Sequence, residues 1–168
     1  MEYVDIVDTQ NNSIGKASRI DAHDKGFLHR VVISEVHDSK SRWLLVRQAK
    51  DRQDGGQFVS PVGGHVTSGE DPKDALIRET WEELGFKPTK FSYIGQTIFN
   101  RYILNRQENH LFMVYSIHSN AVPKLNIEAI EYRYFTENEL KKGLKITPQL
   151  FGDAFHFVVD RFFPHLRI

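Results

Sequence analysis

The stretch GHVTSGEDPKDALIRETWEELGF, residues 64–86, decides how the chain is organised, because it predicts a turn followed by one helix. Asp71 and Pro72 are typical of an N-cap and of the first helical position, and Asp74 adds an acidic first turn. Gly85 follows the last residue of the helical pattern and is typical of a C-terminal stop. We therefore expect a helix between Asp71 and Gly85.

The two sides of this predicted helix differ in chemistry. One side carries the apolar residues Ile77, Trp81 and Leu84, which we expect to pack against the core. The other side carries Glu79, Glu82 and Glu83. Three carboxylates within about one turn repel one another, and the single guanidinium of Arg78 cannot neutralise them all. An all-oxygen cluster suits Mg²⁺ or Mn²⁺ better than Zn²⁺, so the pattern predicts a hard divalent cation.

A pair of glycines comes shortly before the helix. Gly63 and Gly64 follow the mostly apolar residues 58–62 and can bring bare backbone close to a ligand. Charge runs on helices are usually solvated, and a solvated acidic face is the alternative interpretation. The glycine pair, together with Glu70 at a fixed distance on the way into the helix, favours a binding site.

The spacing of these residues resembles the Nudix box, G-x5-E-x7-R-E-U-x-E-E-x-G-U, in which U is an apolar residue. All seven fixed letters are present, as Gly64, Glu70, Arg78, Glu79, Glu82, Glu83 and Gly85. Chance agreement at seven positions has a probability on the order of 10⁻⁷ in a chain of this length. Thr80 departs from the pattern, which has an aliphatic residue there. It lies beside the predicted packing side and should affect fit more than chemistry.

The resemblance implies an α/β protein with a Nudix-type α/β/α sandwich around a mixed β-sheet. It implies a hydrolase that cleaves a diphosphate linkage in a small molecule, commonly a nucleoside diphosphate derivative, by water attack at phosphorus. Carried over, Glu79, Glu82 and Glu83 are catalytic residues that hold Mg²⁺ or Mn²⁺, and the Gly64 carbonyl is a further metal ligand. Arg78 orients a glutamate by ion pairing. The resemblance leaves open which glutamate acts as the base.

Three further residues are expected near the substrate. Glu70 belongs to the box, His65 directly follows the ligand glycine, and Glu131 lies on a late predicted strand. Glu128 is the alternative to Glu131, because such proteins often place one additional acidic group at this point. Ordinary solvent-facing alternation explains both residues equally well.

Composition limits the class of protein and its partners. The chain has 168 residues, of which 40% are hydrophobic and 26% charged, and this fits one globular domain over residues 1–168. It contains no cysteine, which excludes disulfides, thiolate metal sites and a cysteine nucleophile. Basic and acidic residues number 22 each and form no basic block, so we expect no nucleic-acid polymer as a partner.

The chain shows no sign of a membrane segment. Its first residues, MEYVDIVDTQ, are acidic and do not resemble a leader, and no apolar run approaches the length of a spanning helix. We therefore expect a cytoplasmic protein with no membrane partner.

The remaining pattern predicts strands and two further helices. Strands are expected at 2–8, 13–18, 28–37, 43–48, 91–101, 111–117 and 129–135, and helices after Thr136 and over 149–163. The glycine-rich residues 52–57 are expected to form a loop near the site. The last helix carries an apolar stripe, which predicts core packing, with a homodimer surface as the alternative.

Residues 1–37, with the phrase IGKASRIDAHDKGFLHRVV, resemble the start of type I isopentenyl diphosphate isomerase, itself a Nudix-fold enzyme. That resemblance implies a metal bound by two histidines of this stretch, a histidine after the loop glycine and a pair of glutamates. His23, His29, His65 and Glu108 are the corresponding residues. His110 stands at the second glutamate, and Gly63 stands where the isomerase has its cysteine.

Three functions stay open on the sequence alone. A metal-dependent diphosphate hydrolase is favoured by the complete box. An isomerase is disfavoured by the absence of cysteine, and a catalytically silent nucleotide-binding module is disfavoured because every metal carboxylate is retained. The chain is identified as a member of an isomerase-like subgroup of Nudix hydrolases.

Overall fold

The computed structural model describes residues 1–168. The strands are β1 (Tyr3–Val7), β2 (Ser13–Ser18), β3 (His29–His37), β4 (Trp43–Gln48), β5 (Phe58–Val59), β6 (Val62–His65), β7 (Phe91–Ile103), β8 (Arg106–His118) and β9 (Ala129–Phe135). The helices are α1 (Arg19–Lys25), α2 (Pro72–Leu84), α3 (Glu137–Ile146) and α4 (Asp153–Phe162). No helix is both long and apolar enough to cross a membrane.

Local capping interactions place α2 and α3 where the sequence predicted them. The Asp71 side chain accepts a hydrogen bond from the Lys73 N–H at 2.8 Å, and α2 ends at Gly85 with φ 73°. Thr136 and Glu139 form a reciprocal capping box at the start of α3. These signals act within a few residues, which is why the sequence was sufficient to predict them.

Two helices differ from the prediction. The short helix α1 was not predicted, although the Ser18 side chain caps it and Gly26 ends it with φ 67°. The last helix was predicted from residue 149, but α4 begins at Asp153 because Phe151 is extended and forms a bridge with Phe58. The residues before it form only a short 3-10 turn, Pro148–Leu150.

The strands form a mixed sheet whose two parts diverge. In one part β3 runs parallel to β8 and antiparallel to β6, while β7 pairs with β8. In the other part β4 pairs antiparallel with β5 and β9. β3 and β4 pair only at Val36–Leu44 and His37–Trp43. Beyond these pairs the two parts separate, and a cleft opens that is lined by β4, β5 and β6.

Helices cover both faces of the sheet. α2 packs its leucines against the face that carries Val32 and Val36. On the other face, Leu140 of α3 and Phe155 of α4 pack against Leu45 and neighbouring residues. The apolar stripe of α4 therefore lies in the core, and the α/β class and the α/β/α sandwich are confirmed.

The packing face of α2 differs from the predicted one. Trp81 is 54% exposed, whereas Thr80 is completely buried. The Thr80 hydroxyl donates to the Leu76 carbonyl at 2.6 Å, so its polar group is satisfied within the helix. The buried side consists of Leu76, Thr80 and Leu84 rather than Ile77, Trp81 and Leu84.

Candidate active site and metal centre

Gly64 lies in β6 against α2, where its missing side chain makes room for a carboxylate. A Cβ atom at Gly64 would overlap the Glu79 carboxyl group. β6 is fixed by antiparallel pairing with β3, in which Gly64 lies opposite Val32. The glycine therefore allows α2 to bring Glu79 directly against the bare strand.

Glu83 and Glu82 lie next to Glu79 on the same helix. The Gly63 N–H donates to Glu83 Oε2 at 3.2 Å. Glu82 lies at the rim, with its side chain 51% exposed. We call Glu79, Glu82 and Glu83 the carboxylate site, and the structure brings all three to one wall of the cleft.

Burial disfavours the charged form of two of these carboxylates. It raises the pKa of Glu79 to about 7, although the hydrogen bond from Arg78 acts in the opposite direction. Burial also raises the pKa of Glu83 well above its ordinary value, and the charges of Glu79 and Glu128 add to this effect. A cation bound here would replace the protons that these groups otherwise hold. The oxygen donors and their unbalanced charge fit Mg²⁺ or Mn²⁺.

Arg78 holds the carboxylate site in place. Its guanidinium donates to both oxygens of Glu70, at 2.9 and 3.0 Å, to the His65 carbonyl at 2.9 Å, and to Glu79 Oε1 at 2.6 Å. Glu70 also accepts from the Thr67 N–H at 3.0 Å and hydroxyl at 2.9 Å. With both oxygens used in this way, Glu70 supports Arg78 and does not line the cavity.

The additional acidic residue in the cavity is Glu128 rather than Glu131. Glu131 lies on β9, where it pairs with Arg47 at 3.3 Å and is about half exposed. Glu128 precedes the strand and lines the cavity, close to the carboxylate site. The register of β9 against β4 shifts between Arg47 and Gln48, so alternation along an ideal strand pointed to the wrong residue.

Four histidines form a second cluster behind β6. Their ring nitrogens lie within 4.8 Å of one another, and they come from α1, β3, β6 and β8 as His23, His29, His65 and His110. We call this group the histidine site.

Hydrogen bonds fix which ring nitrogens face the centre of the histidine site. Nδ1 of His23 donates to the Gln107 carbonyl at 2.8 Å, and Nδ1 of His29 donates to the Phe27 carbonyl at 2.7 Å. Each ring therefore presents Nε2 as its lone-pair nitrogen. Nε2 of His29 and Nε2 of His110 are buried without a partner. Burial lowers the pKa of His29 to about 4 and also lowers the pKa of the other three histidines, so the imidazoles are neutral at pH 7, as metal ligands must be.

Glu108 does not belong to the histidine site. Its carboxylate accepts from Arg101 at 2.8 Å, from Arg106 at 2.9 Å and from the Gln53 amide at 3.1 Å. Burial opposes its charge, but the hydrogen bonds from Arg101 and Arg106 and the charge of Arg101 hold the pKa of Glu108 at about 2. The donor set is therefore all imidazole, which favours a borderline cation such as Zn²⁺ over Mg²⁺.

One cavity connects these features. Its volume is about 770 Å³, within the range of small-molecule sites. Its walls include the carboxylate site, His65 and His110, and arginines that the sequence did not single out, Arg19, Arg52, Arg101 and Arg106. Arg101 ends a predicted strand and Glu108 lies in the predicted loop that follows it, and their opposite charges were the one signal that could have indicated their contact.

The chain is similar to known proteins in sequence and in fold. The family model of the NUDIX domain matches residues 27–153. An isopentenyl-diphosphate Delta-isomerase 2 of Aromatoleum aromaticum is 28% identical over 165 residues, which cover 95% of this chain and 86% of the relative. An uncharacterized Nudix hydrolase of Yersinia pestis is 36% identical over 100 residues, which cover 59% of this chain and 55% of the relative. A crystal structure of a Deinococcus radiodurans protein has a TM-score of 0.75 at 21% identity and covers 96% of this chain and 99% of that chain.

An acidic helix seated against a glycine strand, within an α/β/α sandwich, defines a class of enzymes that act on diphosphate linkages. The family model covers most of the chain, and the chain therefore belongs to the Nudix family. Within that family it is a Nudix hydrolase, with the complete box in residues 64–86.

Proposed function

We propose that this Nudix hydrolase cleaves a diphosphate linkage in a nucleoside diphosphate derivative, by metal-dependent attack of water at phosphorus. The observation that carries the proposal is the position of Glu79 against Gly64 and of Glu83 on the Gly63 N–H. Both lie in the wall of a cavity of about 770 Å³, which has room for such a substrate.

The residues of the carboxylate site have distinct tasks in this proposal. Glu79, Glu82 and Glu83, with the Gly64 carbonyl, would hold Mg²⁺ or Mn²⁺, and the bound ion would offset charge on the diphosphate and lower the pKa of water. Arg78 orients Glu79, and Glu70 fixes Arg78 through two hydrogen bonds. Glu128 and His65 border the substrate.

The histidine site supports a second cation of a different kind. Two orphaned Nε2 atoms and a set of neutral, buried imidazoles fit Zn²⁺ or a similar ion. Its ligands come from four separate elements, so a cation there would tie α1, β3, β6 and β8 together.

The domain organisation, location and partners of the protein are also part of the proposal. Residues 1–168 act as one domain, in the cytoplasm, on a small-molecule diphosphate and without a nucleic-acid polymer or a membrane as partner. The homodimer surface that the apolar stripe of α4 offered as an alternative is not supported, because the stripe lies in the core.

Isomerisation of a prenyl diphosphate is the second candidate, and the names of several relatives favour it. The Aromatoleum aromaticum relative is an isopentenyl-diphosphate isomerase by name. In this chain, however, Gly63 stands in place of the isomerase cysteine, and arginines hold Glu108. Incubation with isopentenyl diphosphate distinguishes the two functions, because only the isomerase forms the allylic isomer.

A substrate panel tests the hydrolase. Purified protein with Mg²⁺ or Mn²⁺ is incubated with nucleotides, nucleotide sugars, dinucleotide cofactors and prenyl diphosphates, and products are identified by ³¹P spectroscopy. We expect cleavage of a nucleoside diphosphate derivative, loss of cleavage with a chelator, and normal cleavage by Asp74→Asn, a change at an exposed acidic residue of the same helix. Absence of hydrolysis across the panel contradicts the proposal.

A further inference from the structure

The tip of the β7–β8 hairpin has an unfavourable residue in a left-handed conformation. Ile103 lies opposite Arg106, so Leu104 and Asn105 are the two central residues of the turn. Their φ angles are 49° and 61°. A two-residue hairpin turn of this kind favours asparagine, aspartate or glycine, whereas a leucine with positive φ is strained.

Nothing within the turn explains the leucine. Its side chain is 55% exposed and belongs to no core cluster. The contact that stabilises the turn is made by its neighbour, since the Tyr102 hydroxyl donates to Asn105 Oδ1 at 2.9 Å. Asparagine or glycine in place of Leu104 would relieve the strain without removing any packing in the core.

Leu104 lies at the edge of the cavity. Leu104 is part of its lining, together with Arg101 and Arg106 from the two strands below the turn. These arginines fix the base of the hairpin, because Arg101 pairs with Asp54 at 2.7 Å and Arg106 pairs with Glu108 at 2.9 Å. The hairpin therefore holds an exposed apolar side chain at a fixed place on the cavity rim.

We propose that Leu104 is a specificity-determining residue that packs against an apolar surface of the group attached to the diphosphate. This inference rests on the proposed function, in which the carboxylate site takes the diphosphate itself. The apolar surface is the face of a nucleobase or a hydrocarbon chain. Burial of the Leu104 side chain against the ligand would offset the cost of its strained backbone, which the free protein does not recover.

Equilibrium binding to Leu104→Asn tests the inference. Calorimetry with Ca²⁺ in place of Mg²⁺ measures Kd for inorganic pyrophosphate, ADP-ribose and isopentenyl diphosphate. We expect Kd for one organic probe to rise roughly 10-fold and Kd for pyrophosphate to stay unchanged. The melting temperature should stay constant or rise by about 2–4 °C, because strain is relieved. Loss confined to ADP-ribose identifies a nucleobase, and loss confined to isopentenyl diphosphate identifies a hydrocarbon chain.

Two variants serve as controls. Asn105→Gly changes the other turn residue, which does not line the cavity, and should leave all three Kd values unchanged. Leu104→Met keeps an apolar side chain and should bind the organic probes like the wild type. The inference is overturned if Leu104→Asn binds both organic probes normally, if it loses pyrophosphate equally, or if the wild type binds neither organic probe. The proposed function fails by a different result, which is absence of hydrolysis in the panel.

Discussion

The carboxylate site and the histidine site share the strand β6 and differ in almost every other respect. Gly64 and His65 are consecutive residues, and consecutive residues of a strand point to opposite faces. Gly64 faces α2 and Glu79, whereas the His65 ring faces His23, with 3.1 Å between their Nε2 atoms. One short strand therefore separates an oxygen site from a nitrogen site.

Burial shifts the pKa values of the two sites in opposite directions, but in both cases it favours the uncharged form of the side chain. It raises the pKa of Glu79 to about 7 and lowers the pKa of His29 to about 4. Both changes favour the uncharged form of the residue. The difference between the sites lies in donor type, which separates hard cations from borderline ones.

Substitution of Gly64 by alanine should have the largest effect. The new Cβ atom would overlap the Glu79 carboxyl group, so Glu79 must leave the strand. We expect kcat/KM to fall about 10³-fold, because a ligand carboxylate is displaced. Zinc content, measured by elemental analysis after loading, should stay at the wild-type level, since His65 keeps its side of the strand. Turnover like that of the wild type would show that catalysis does not require the Glu79 carboxyl group to lie against Gly64.

Glu83→Gln should lower kcat about 10²-fold in the presence of Mg²⁺. The change keeps the shape of the side chain but removes a negative oxygen donor. Glu131→Gln is the matched control, because Glu131 pairs with Arg47 outside the cavity. Steady-state kinetics of the two variants show whether Glu131 takes part in catalysis. A large loss in Glu131→Gln would show that Glu131 lies near the substrate.

The sequence was sufficient to predict α2 because its caps are local. Asp71 and Gly85 act on hydrogen bonds within their own turns. The face that α2 buries was harder to predict, since Thr80 counts as polar by type but satisfies its hydroxyl on Leu76. Trp81 counts as apolar by type but is exposed, and Lys87 lies 5.9 Å from its ring centre. Residue type alone therefore predicted the wrong side.

The carboxylate site was easier to predict from the sequence than the histidine site, because its residues are close together in the chain. Glu79, Glu82 and Glu83 lie within one helix, so their spacing already places them together. The histidine site needs four elements and the parallel register that sets His29 opposite His110. Only a family resemblance indicated its members. That resemblance also included Glu108. In the structure Glu108 is instead held by ion pairs with Arg101 and Arg106, and the sequence alone did not indicate these tertiary contacts.

His29→Asn should weaken cation binding at the histidine site. Removing one imidazole leaves three donors, and we expect affinity for Zn²⁺ to fall by more than about 100-fold, because the loss of a ligand costs more than the 10- to 100-fold typical of a residue that only supports one. Competition with a chromogenic chelator measures this affinity. The affinity for Mg²⁺ at the carboxylate site, measured by titration of activity, should change less than that for Zn²⁺. Equal losses at both sites would show that β6 does not separate them.

The smallest predicted effect is the pH dependence of the stability of the chelated protein. Glu79 has a folded pKa of about 7, above its ordinary 4.5, so its contribution is present below pH 4.5 and is lost as pH rises to 7. His29 has a folded pKa of about 4, below its ordinary 6.5, so its contribution is present above pH 6.5 and is lost as pH falls to 4. Each group changes the free energy of unfolding by about 1–3 kcal/mol.

These opposite slopes predict that the melting temperature in EDTA is highest between pH 4.5 and 6.5 and falls on both sides. Thermal unfolding from pH 4 to pH 8 measures this profile. Mg²⁺ binds the ionised carboxylates, so it should raise the melting temperature most at pH 7 and little at pH 5. If Mg²⁺ instead raised the melting temperature equally at pH 5 and pH 7, it would be bound by groups that are already deprotonated at pH 5, as His29 is, and the assignment of hard and borderline cations to the two faces of β6 would be reversed.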